Sequence, residues 1–201
     1  VTKMARAIGH EPVLSVYRRF GLVEPSSIGC PGERSGSLPN RERWSEIEKV
    51  TLAYGYGLTG TPLQLAQAYA VFANQGRRVP LTLLKREPGA RLPGEPVISE
   101  EIAKQVLTVL HRVTGSEGTA SKARVPGFSV GGKTGTVHKV GPSGYLPDQY
   151  LALFVGVAPM DNPRYVTAVV VDQPKGDNYG GGAAAAPVYS RITDGVLRLR
   201  N

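Results

Sequence analysis

Apolar residues recur at helical spacing near the start of the chain. Residues 1–21 predict two short helices, because Gly9 breaks the first and Pro12 suits the first turn of the second. Residues 22–50 hold many turn-forming glycines and prolines and show no clear period. We therefore expect a helical start followed by an irregular segment.

Two longer helices are predicted in the middle of the chain. In the first, Thr61 suits the N-cap, Gln64 completes a capping box, and Gly76 ends the helix. The second begins at Ser99, after a Pro- and Gly-bearing stretch at 86–98 that favours a surface loop or a loose hairpin. The buried stripe of this second helix is predicted to be Ile102, Val106, Val109, Leu110 and Val113.

The pattern changes to strand-like runs after Pro126. They are rich in Val, Thr, Tyr and Phe and cover residues 128–140, 150–159 and 165–172. The second and third runs are almost continuously apolar, which is typical of strands covered on both faces. Because the connections between the runs are short, we expect antiparallel neighbours.

A loop and a helix complete the predicted order of elements. Residues 180–186 are rich in Gly and Ala and predict a loop, and a final helix is expected from Pro187 to Arg200. The prediction is thus an α+β fold. Residues 1–125 form its mainly helical and loop part, and residues 126–201 form a three-stranded sheet with the C-terminal helix.

Composition and charge exclude several classes of protein. Hydrophobic residues make up 41% and charged residues 20%, which is typical of a globular domain. The net charge of +8 is spread along the chain without interleaved aromatics, so nucleic-acid binding is disfavoured. A single cysteine, Cys30, excludes an internal disulfide, and the three histidines lack metal-ligand spacing. We expect neither a metal nor a cofactor.

Candidate chemistry lies on the first predicted strand, in the run Gly131-Gly132-Lys133-Thr134-Gly135-Thr136. Glycines within a strand indicate that a ligand or another backbone approaches closely. A lysine ammonium and two threonine hydroxyls can bind a carboxylate, and an edge strand can pair with an extended peptide. For the Lys-Thr-Gly tripeptide alone, the alternative is a Gly-interrupted strand with an exposed lysine. Its context favours acyl transfer on a peptide with a terminal carboxylate.

The tripeptide Lys-Thr-Gly resembles one of the three motifs of penicillin-binding proteins and class A β-lactamases. The resemblance extends through Pro31-Gly32-Glu33-Arg34 and Ser37-Leu38-Pro39-Asn40, residues 52–66, Val125-Pro126-Gly127-Phe128, and residues 179–189. These segments follow one another as they do in the class B penicillin-binding proteins. The chain is identified as the C-terminal part of such a transpeptidase domain, most similar to the septal D,D-transpeptidases.

The resemblance implies roles for the Lys-Thr-Gly strand. Lys133 and Thr134 would hold the carboxylate of a D-alanyl-D-alanine stem peptide, or of a β-lactam that mimics it. Gly135 would let the ligand lie against the strand. Thr136 would contribute a hydroxyl contact and, through its N–H, half of the oxyanion hole, so that Lys133 and Thr136 are the expected catalytic residues.

Further residues are expected around this strand. By the same resemblance, Tyr56, Tyr179 and Gly180 would line the site. His138 would face the side chain of the ligand, at a position where relatives commonly carry arginine.

The other two motifs of the family do not occur in the 201 residues. The nucleophile is the serine of a Ser-x-x-Lys, and a Ser-x-Asn relays protons; the nearest imitations, at 82–85 and 119–122, begin with threonine. The family has a five-stranded antiparallel sheet with helices on both faces, of which this chain would supply the last three strands. We therefore expect the chain to be inactive and unstable alone, and to be completed by the missing N-terminal part of the same protein or by a companion chain.

The resemblance also implies a setting and leaves alternatives open. It places the protein on the periplasmic side of the bacterial inner membrane, with an anchor outside these residues and division proteins as partners. A β-lactamase or D,D-carboxypeptidase shares the fold and the Lys-Thr-Gly strand. A non-catalytic interaction module of the same fold is the second alternative.

Overall fold

The computed structural model describes residues 1–26, 28–40, 42–87, 94–142, 144–176 and 178–199. The helices are α1 (Thr2–Ile8), α2 (His10–Arg19), α3 (Glu46–Leu52), α4 (Pro62–Ala73), α5 (Glu100–Val113), α6 (Gly181–Ala184) and α7 (Ala186–Arg198), with a 3₁₀ helix at Ser121–Ala123. The strands are β1 (Arg77–Arg78), β2 (Glu95–Pro96), β3 (Gly131–Gly141), β4 (Gly144–Ala158) and β5 (Tyr165–Asp172).

The chain divides into two compact units. The first comprises residues 1–68 and 78–97, and the second comprises residues 69–77 and 98–201. The α+β prediction is confirmed. The predicted division of one transpeptidase domain at residue 125 stays a prediction.

Three short helices pack together in the first unit. The two helices predicted before residue 21 are confirmed as α1 and α2, and Gly9 between them has a φ of 79°. The prediction of an irregular segment at 22–50 is wrong for its last residues, because α3 begins at Glu46. The side chain of Ser45 accepts the backbone N–H of Glu48, and the Glu48 carboxylate accepts the N–H of Ser45. This capping box stabilises a helix too short to show an apolar period.

The predicted start of α4 is confirmed in the first unit. Thr61 Oγ1 accepts the N–H of Gln64 at 3.1 Å, and Gln64 Oε1 accepts the N–H of Thr61 at 2.9 Å. The side chain of Gln64 is fully buried, and its Nε2 donates to the carbonyl of Glu24 at 2.7 Å. Capping and tertiary packing therefore use the same side chain.

Helix α5 begins as predicted, because Ser99 accepts the N–H of Ile102. Its predicted buried stripe is wrong at two positions: Ile102 is 49% exposed and Val109 is 61% exposed. The residues buried there are Ala103, Leu110 and Thr114. The buried face is rotated by one residue from the prediction. The apolar pattern does not include the small residue Ala103 or the polar residue Thr114, and both are buried.

Strands β3, β4 and β5 form an antiparallel sheet in that order, as predicted. Lys133 lies opposite Val155 and Thr136 lies opposite Ala152. Two predicted boundaries are wrong. β3 starts at residue 131 instead of 128, after a turn closed by a bridge between residues 125 and 128. β4 starts at residue 144 instead of 150, because the two strands stay paired up to Gly141 and Gly144 and the turn between them is shorter than predicted.

The core of the second unit lies against β4 and α7. Residues of both faces of β4 are buried, as predicted, including Phe154 and Val155. Tyr189 of α7 packs edge-on to Phe154 at 4.8 Å, and a Cβ at Gly156 would lie 2.4 Å from the Tyr189 ring. Burial raises the pKa of Tyr189 to about 12. The expected two-sided cover is wrong for β5, where Val169 is buried and Val170, which points to the opposite face, is 40% exposed. Helix α7 contacts β5, and one helix covers only one face of a sheet.

The segment predicted as a loop at 180–186 is largely helical. Its small residues form α6 and the start of α7. A Cβ at Gly181 would lie 2.3 Å from the Leu153 carbonyl oxygen, so only glycine permits this close packing. Arg200, at the predicted end of the final helix, and residues 88–93 of the predicted loop lie outside the described residues.

The described residues contain neither a membrane-spanning helix nor a cluster of metal ligands. None of the helices combines the length and the apolar character needed to cross a bilayer. No group of three or more His, Cys, Asp or Glu side chains in that part of the chain is arranged to hold a metal ion.

Candidate functional site

Strand β3 presents the Lys-Thr-Gly motif at the edge of the sheet. One edge of β3 pairs with β4, and within the described residues no strand pairs with its other edge. Lys133 and Thr136 are exposed, while Thr134 and Gly135 are half-buried. An extended peptide can reach such an edge from solvent.

The Lys133 ammonium group folds back onto its own strand. Its Nζ donates to the Thr134 carbonyl oxygen at 2.8 Å and lies 3.4 Å from Thr134 Oγ1. No ion pair of Lys133 with a described carboxylate is found. A compact ammonium with three donors can exchange these weak local contacts for an external carboxylate.

Two threonine hydroxyls follow one another on the same face of β3, because side chains two residues apart in a strand share a face. Thr134 Oγ1 lies 3.3 Å from Thr119 Oγ1. Thr136 Oγ1 accepts the backbone N–H of Gly181 at 3.1 Å. Since the Thr136 oxygen is positioned by this bond as an acceptor, its own hydroxyl hydrogen is available to donate to a ligand.

Glycines allow the segment before α6 to lie directly on the strand. A Cβ at Gly181 would be 2.5 Å from the carbonyl oxygen of Gly135. A Cβ at Gly135 would be 2.7 Å from a methyl carbon of Leu153. The close approach expected at the glycines of β3 is therefore observed, and the groups that approach here belong to the chain itself.

A row of four stacked rings extends from the end of the motif. The ring centroids of Tyr145 and His138 are 4.9 Å apart, those of His138 and Tyr150 are 4.6 Å apart, and those of Tyr150 and Tyr179 are 4.0 Å apart. The interplanar angles are 13°, 18° and 13°. A hydrogen bond with Tyr179, together with some burial, raises the pKa of Tyr150. We call these four residues the aromatic row.

The imidazole of His138 is held inside this row. Its Nε2 lies 2.8 Å from the carbonyl oxygen of Leu146, and since a carbonyl only accepts, Nε2 is the donor. With rings stacked on both of its faces, His138 has little rotational freedom. The His138 side chain is therefore held in one orientation, five residues after Lys133 on β3.

The second unit brings most of the predicted residues together. Tyr179 and Gly180 lie beside the motif, and a Cβ at Gly180 would be 3.6 Å from Thr136 Oγ1. Tyr56 belongs to the first unit, where it is 43% exposed and its ring meets that of Tyr54 edge-on at 5.7 Å. The role of Tyr56 in the site stays a prediction.

Several residues of the site were not predicted as such. The run Gly180-Gly181-Gly182 is a signal for Gly181, although only Gly180 is among the predicted site residues. Thr119 begins one of the two segments that imitate the missing Ser-x-x-Lys motif, and the sequence does not place it beside β3. The role of Tyr150 depends on the register that pairs it with His138, which the sequence does not reveal before the hairpin length is known.

Comparisons with known proteins agree with this geometry. The family model described as the penicillin binding protein transpeptidase domain matches residues 1–194. The "Peptidoglycan D,D-transpeptidase FtsI" of Escherichia coli K12 is 42% identical over 201 residues, which are 100% of this chain and 34% of that protein. The "Probable peptidoglycan D,D-transpeptidase PbpC" of Pseudomonas aeruginosa is 40% identical over 198 residues, 98% of this chain and 35% of that protein.

A solved structure matches over the whole chain. The apo transpeptidase domain of penicillin-binding protein 3 from Burkholderia pseudomallei superposes with a TM-score of 0.91 at 40% identity. The match covers 100% of this chain and 60% of that domain structure. The chain thus spans about a third of the length of the curated relatives that it matches.

Proposed function

Since this chain belongs to the penicillin-binding protein transpeptidase family, we propose that it forms the carboxylate-binding side of a peptidoglycan D,D-transpeptidase active site. The substrate is a stem peptide that ends in D-alanyl-D-alanine, and β-lactams acylate the same site as mimics of it. The reaction crosslinks stem peptides during septal wall synthesis.

One observation carries this proposal: an exposed lysine and an exposed threonine lie on the open edge of β3. Main-chain pairing with that edge would align the peptide, and Lys133 would attract its terminal carboxylate. Thr134 and Thr136 would supply hydroxyl contacts beside it. Gly135 would let the peptide lie against the strand by its main chain, since the space beside the Gly135 Cα is taken by the Leu153 side chain.

The covalent step requires groups from outside the 201 residues. A serine of a Ser-x-x-Lys element would attack the carbonyl of the penultimate D-alanine, and the terminal D-alanine would leave with a proton. The oxyanion that forms at that carbonyl would accept the N–H of Thr136 and of the serine itself. Our proposal therefore includes a partner segment, either of the same protein or of a companion chain.

The setting of this reaction is also part of the proposal. Relatives named as peptidoglycan D,D-transpeptidases support a place on the periplasmic side of the inner membrane, where peptidoglycan is built. Division proteins are the expected partners. The lining roles of Tyr56, His138, Tyr179 and Gly180 belong to the same proposal.

Labelling with a fluorescent penicillin tests the role of Lys133. In the complete protein, Lys133→Ala is expected to slow acylation by about 10- to 100-fold, because a hydrogen bond to a charged group is lost. Lys122→Ala is the matched control, since Lys122 is equally charged, exposed and outside the site. Initial labelling rates on a denaturing gel give both numbers.

Three outcomes would contradict the proposal. Equal labelling rates in the two lysine variants would remove Lys133 from the site. A complete protein that takes no label would favour the non-catalytic module of the same fold. Rapid turnover of the penicillin after acylation would favour a β-lactamase.

A further inference from the structure

A cavity in the second unit lies apart from the Lys-Thr-Gly motif. It is an open cavity of about 540 Å³ between the C-terminal end of α5 and the segment that leads into β3. This volume is in the range of small-molecule sites. Val125, Pro126 and Phe128 provide an apolar wall, and no residue from 131 to 138 lines the cavity.

The charged residues of the cavity are all basic. Arg112 and Arg124 line it, together with His111, and among the residues that the structure describes no aspartate or glutamate does. Arg124 Nε donates to the Thr114 carbonyl oxygen at 2.7 Å, which fixes the guanidinium plane. Within the described part of the chain, the terminal nitrogens of Arg124 and the whole guanidinium of Arg112 have no hydrogen-bond or ion-pair partner.

An acidic side chain, Asp161, lines an adjoining cavity of about 430 Å³, which shares His111 and Ser129 with the first. There the hydroxyl of Ser129 donates to the carboxylate of Asp161 at 3.0 Å. Asp161 does not line the first cavity. Within the described ranges, the two guanidinium groups therefore have no competing carboxylate in the cavity that they share.

Hydrogen bonds hold the polar wall of the cavity in place. The carbonyl oxygen of Val130 accepts the hydroxyl of Thr114 at 2.7 Å and lies 3.0 Å from His111 Nδ1. Because Thr114 also accepts from Arg124, the end of α5 and the entry to β3 are joined by one network. A site of fixed shape loses less conformational entropy on binding than a flexible one.

We propose that this cavity binds a small apolar molecule that carries one anionic group, either a carboxylate, a phosphate or a sulfonate. The guanidinium groups of Arg112 and Arg124 take the anion, since their planar donors match its oxygens in pairs. The apolar body lies against Pro126 and Phe128. This site is additional to the proposed transpeptidase site and does not depend on it.

Two fluorescent probes that differ in charge test the site in the complete protein. The anion 1-anilinonaphthalene-8-sulfonate is expected to bind saturably, and Arg112→Gln is expected to weaken its binding by about tenfold. The double variant Arg112→Gln/Arg124→Gln should weaken it further. The neutral analogue N-phenyl-1-naphthylamine should change by less than about twofold, since it lacks the charged group.

Arg191→Gln is the matched control, because Arg191 is exposed and outside the cavity. It should leave the affinity for both probes unchanged. The proposal is overturned if the anionic probe does not bind saturably, if Arg112→Gln leaves its affinity unchanged, or if both probes weaken equally. Penicillin labelling of the same variants is expected to stay at the wild-type rate, which separates a failure here from a failure at Lys133.

Discussion

At the scale of single residues, two neighbouring glycines have very different surroundings. A Cβ at Gly181 would lie 2.3 Å from the Leu153 oxygen and 2.5 Å from the Gly135 oxygen. A Cβ at Gly180 would meet only Thr136 Oγ1, at 3.6 Å, and Gly180 has an ordinary φ of −70°. The contact between this segment and β3 therefore depends on Gly181 and not on Gly180.

We predict that Gly181→Ala destabilises the complete protein by about 1–3 kcal/mol, because backbone atoms of β3 and β4 must move to admit the methyl group. Gly180→Ala is the matched control and should change the free energy of unfolding by less than about 0.5 kcal/mol. Urea titrations of the two variants measure both values. Similar destabilisation by both substitutions would show that the segment is not packed as closely as described.

Single residues were predicted well where the signal is local. The glycines around Lys133 indicated close approach at a strand, and the strand does lie under another segment of the chain. Thr119 and Gly181 could not be predicted, because their contacts with β3 join positions far apart in the sequence. The sequence therefore reveals the Lys-Thr-Gly motif itself more readily than the distant residues that contact it.

At the scale of elements, the aromatic row joins the β3–β4 hairpin to the segment before α6. Tyr150 stacks on His138 and on Tyr179, and the hydrogen bond with Tyr179 is the largest cause of its raised pKa. The bond favours the neutral phenol. Its stabilising effect is therefore complete below the ordinary pKa of 10.0 and is lost as the pH rises through the raised value.

We predict that Tyr179→Phe lowers the pKa of Tyr150 towards 10.0, because the phenylalanine keeps the stacked ring but cannot form the hydrogen bond. NMR titration of ¹³Cζ-labelled tyrosine measures the change, with the Tyr150 signal assigned by its loss in Tyr150→Phe. Tyr145→Phe is the control, since Tyr145 stacks on His138 and not on Tyr150. A Tyr150 pKa that responds equally to both substitutions would show that Tyr179 is not the main cause of the raised pKa.

The elements themselves were predictable to different degrees. The helices with capping boxes or first-turn signals were located, including α4 with Thr61 and Gln64. α3 carries the same signal at Ser45 and Glu48, but the segment 22–50 is rich in turn-forming glycines and prolines, and a helix of seven residues is too short to show an apolar period. The face of α5 was misplaced, because burial depends on which neighbour a helix meets and not only on its own apolar period.

At the scale of the whole molecule, the sheet has two outer edges in the described part of the chain. β4 is central, and β3 and β5 each pair on one side only. β3 exposes polar residues of the motif on its edge, whereas β5 carries the apolar run Ala168-Val169-Val170-Val171. Unpaired N–H and C=O groups beside apolar side chains favour pairing with another chain.

We predict that the 201-residue polypeptide by itself associates through β5 as its concentration rises. Val170→Lys should reduce this association, because a lysine on an edge strand is costly to bury against a second sheet. Val109→Lys is the matched control: Val109 is more exposed, at 61% against 40%, but lies on a helix. Sedimentation velocity over a range of concentrations distinguishes the two variants. If both substitutions reduce association equally, exposed apolar area and not the strand edge causes the association. A polypeptide that stays monomeric at every concentration would show that β5 is protected.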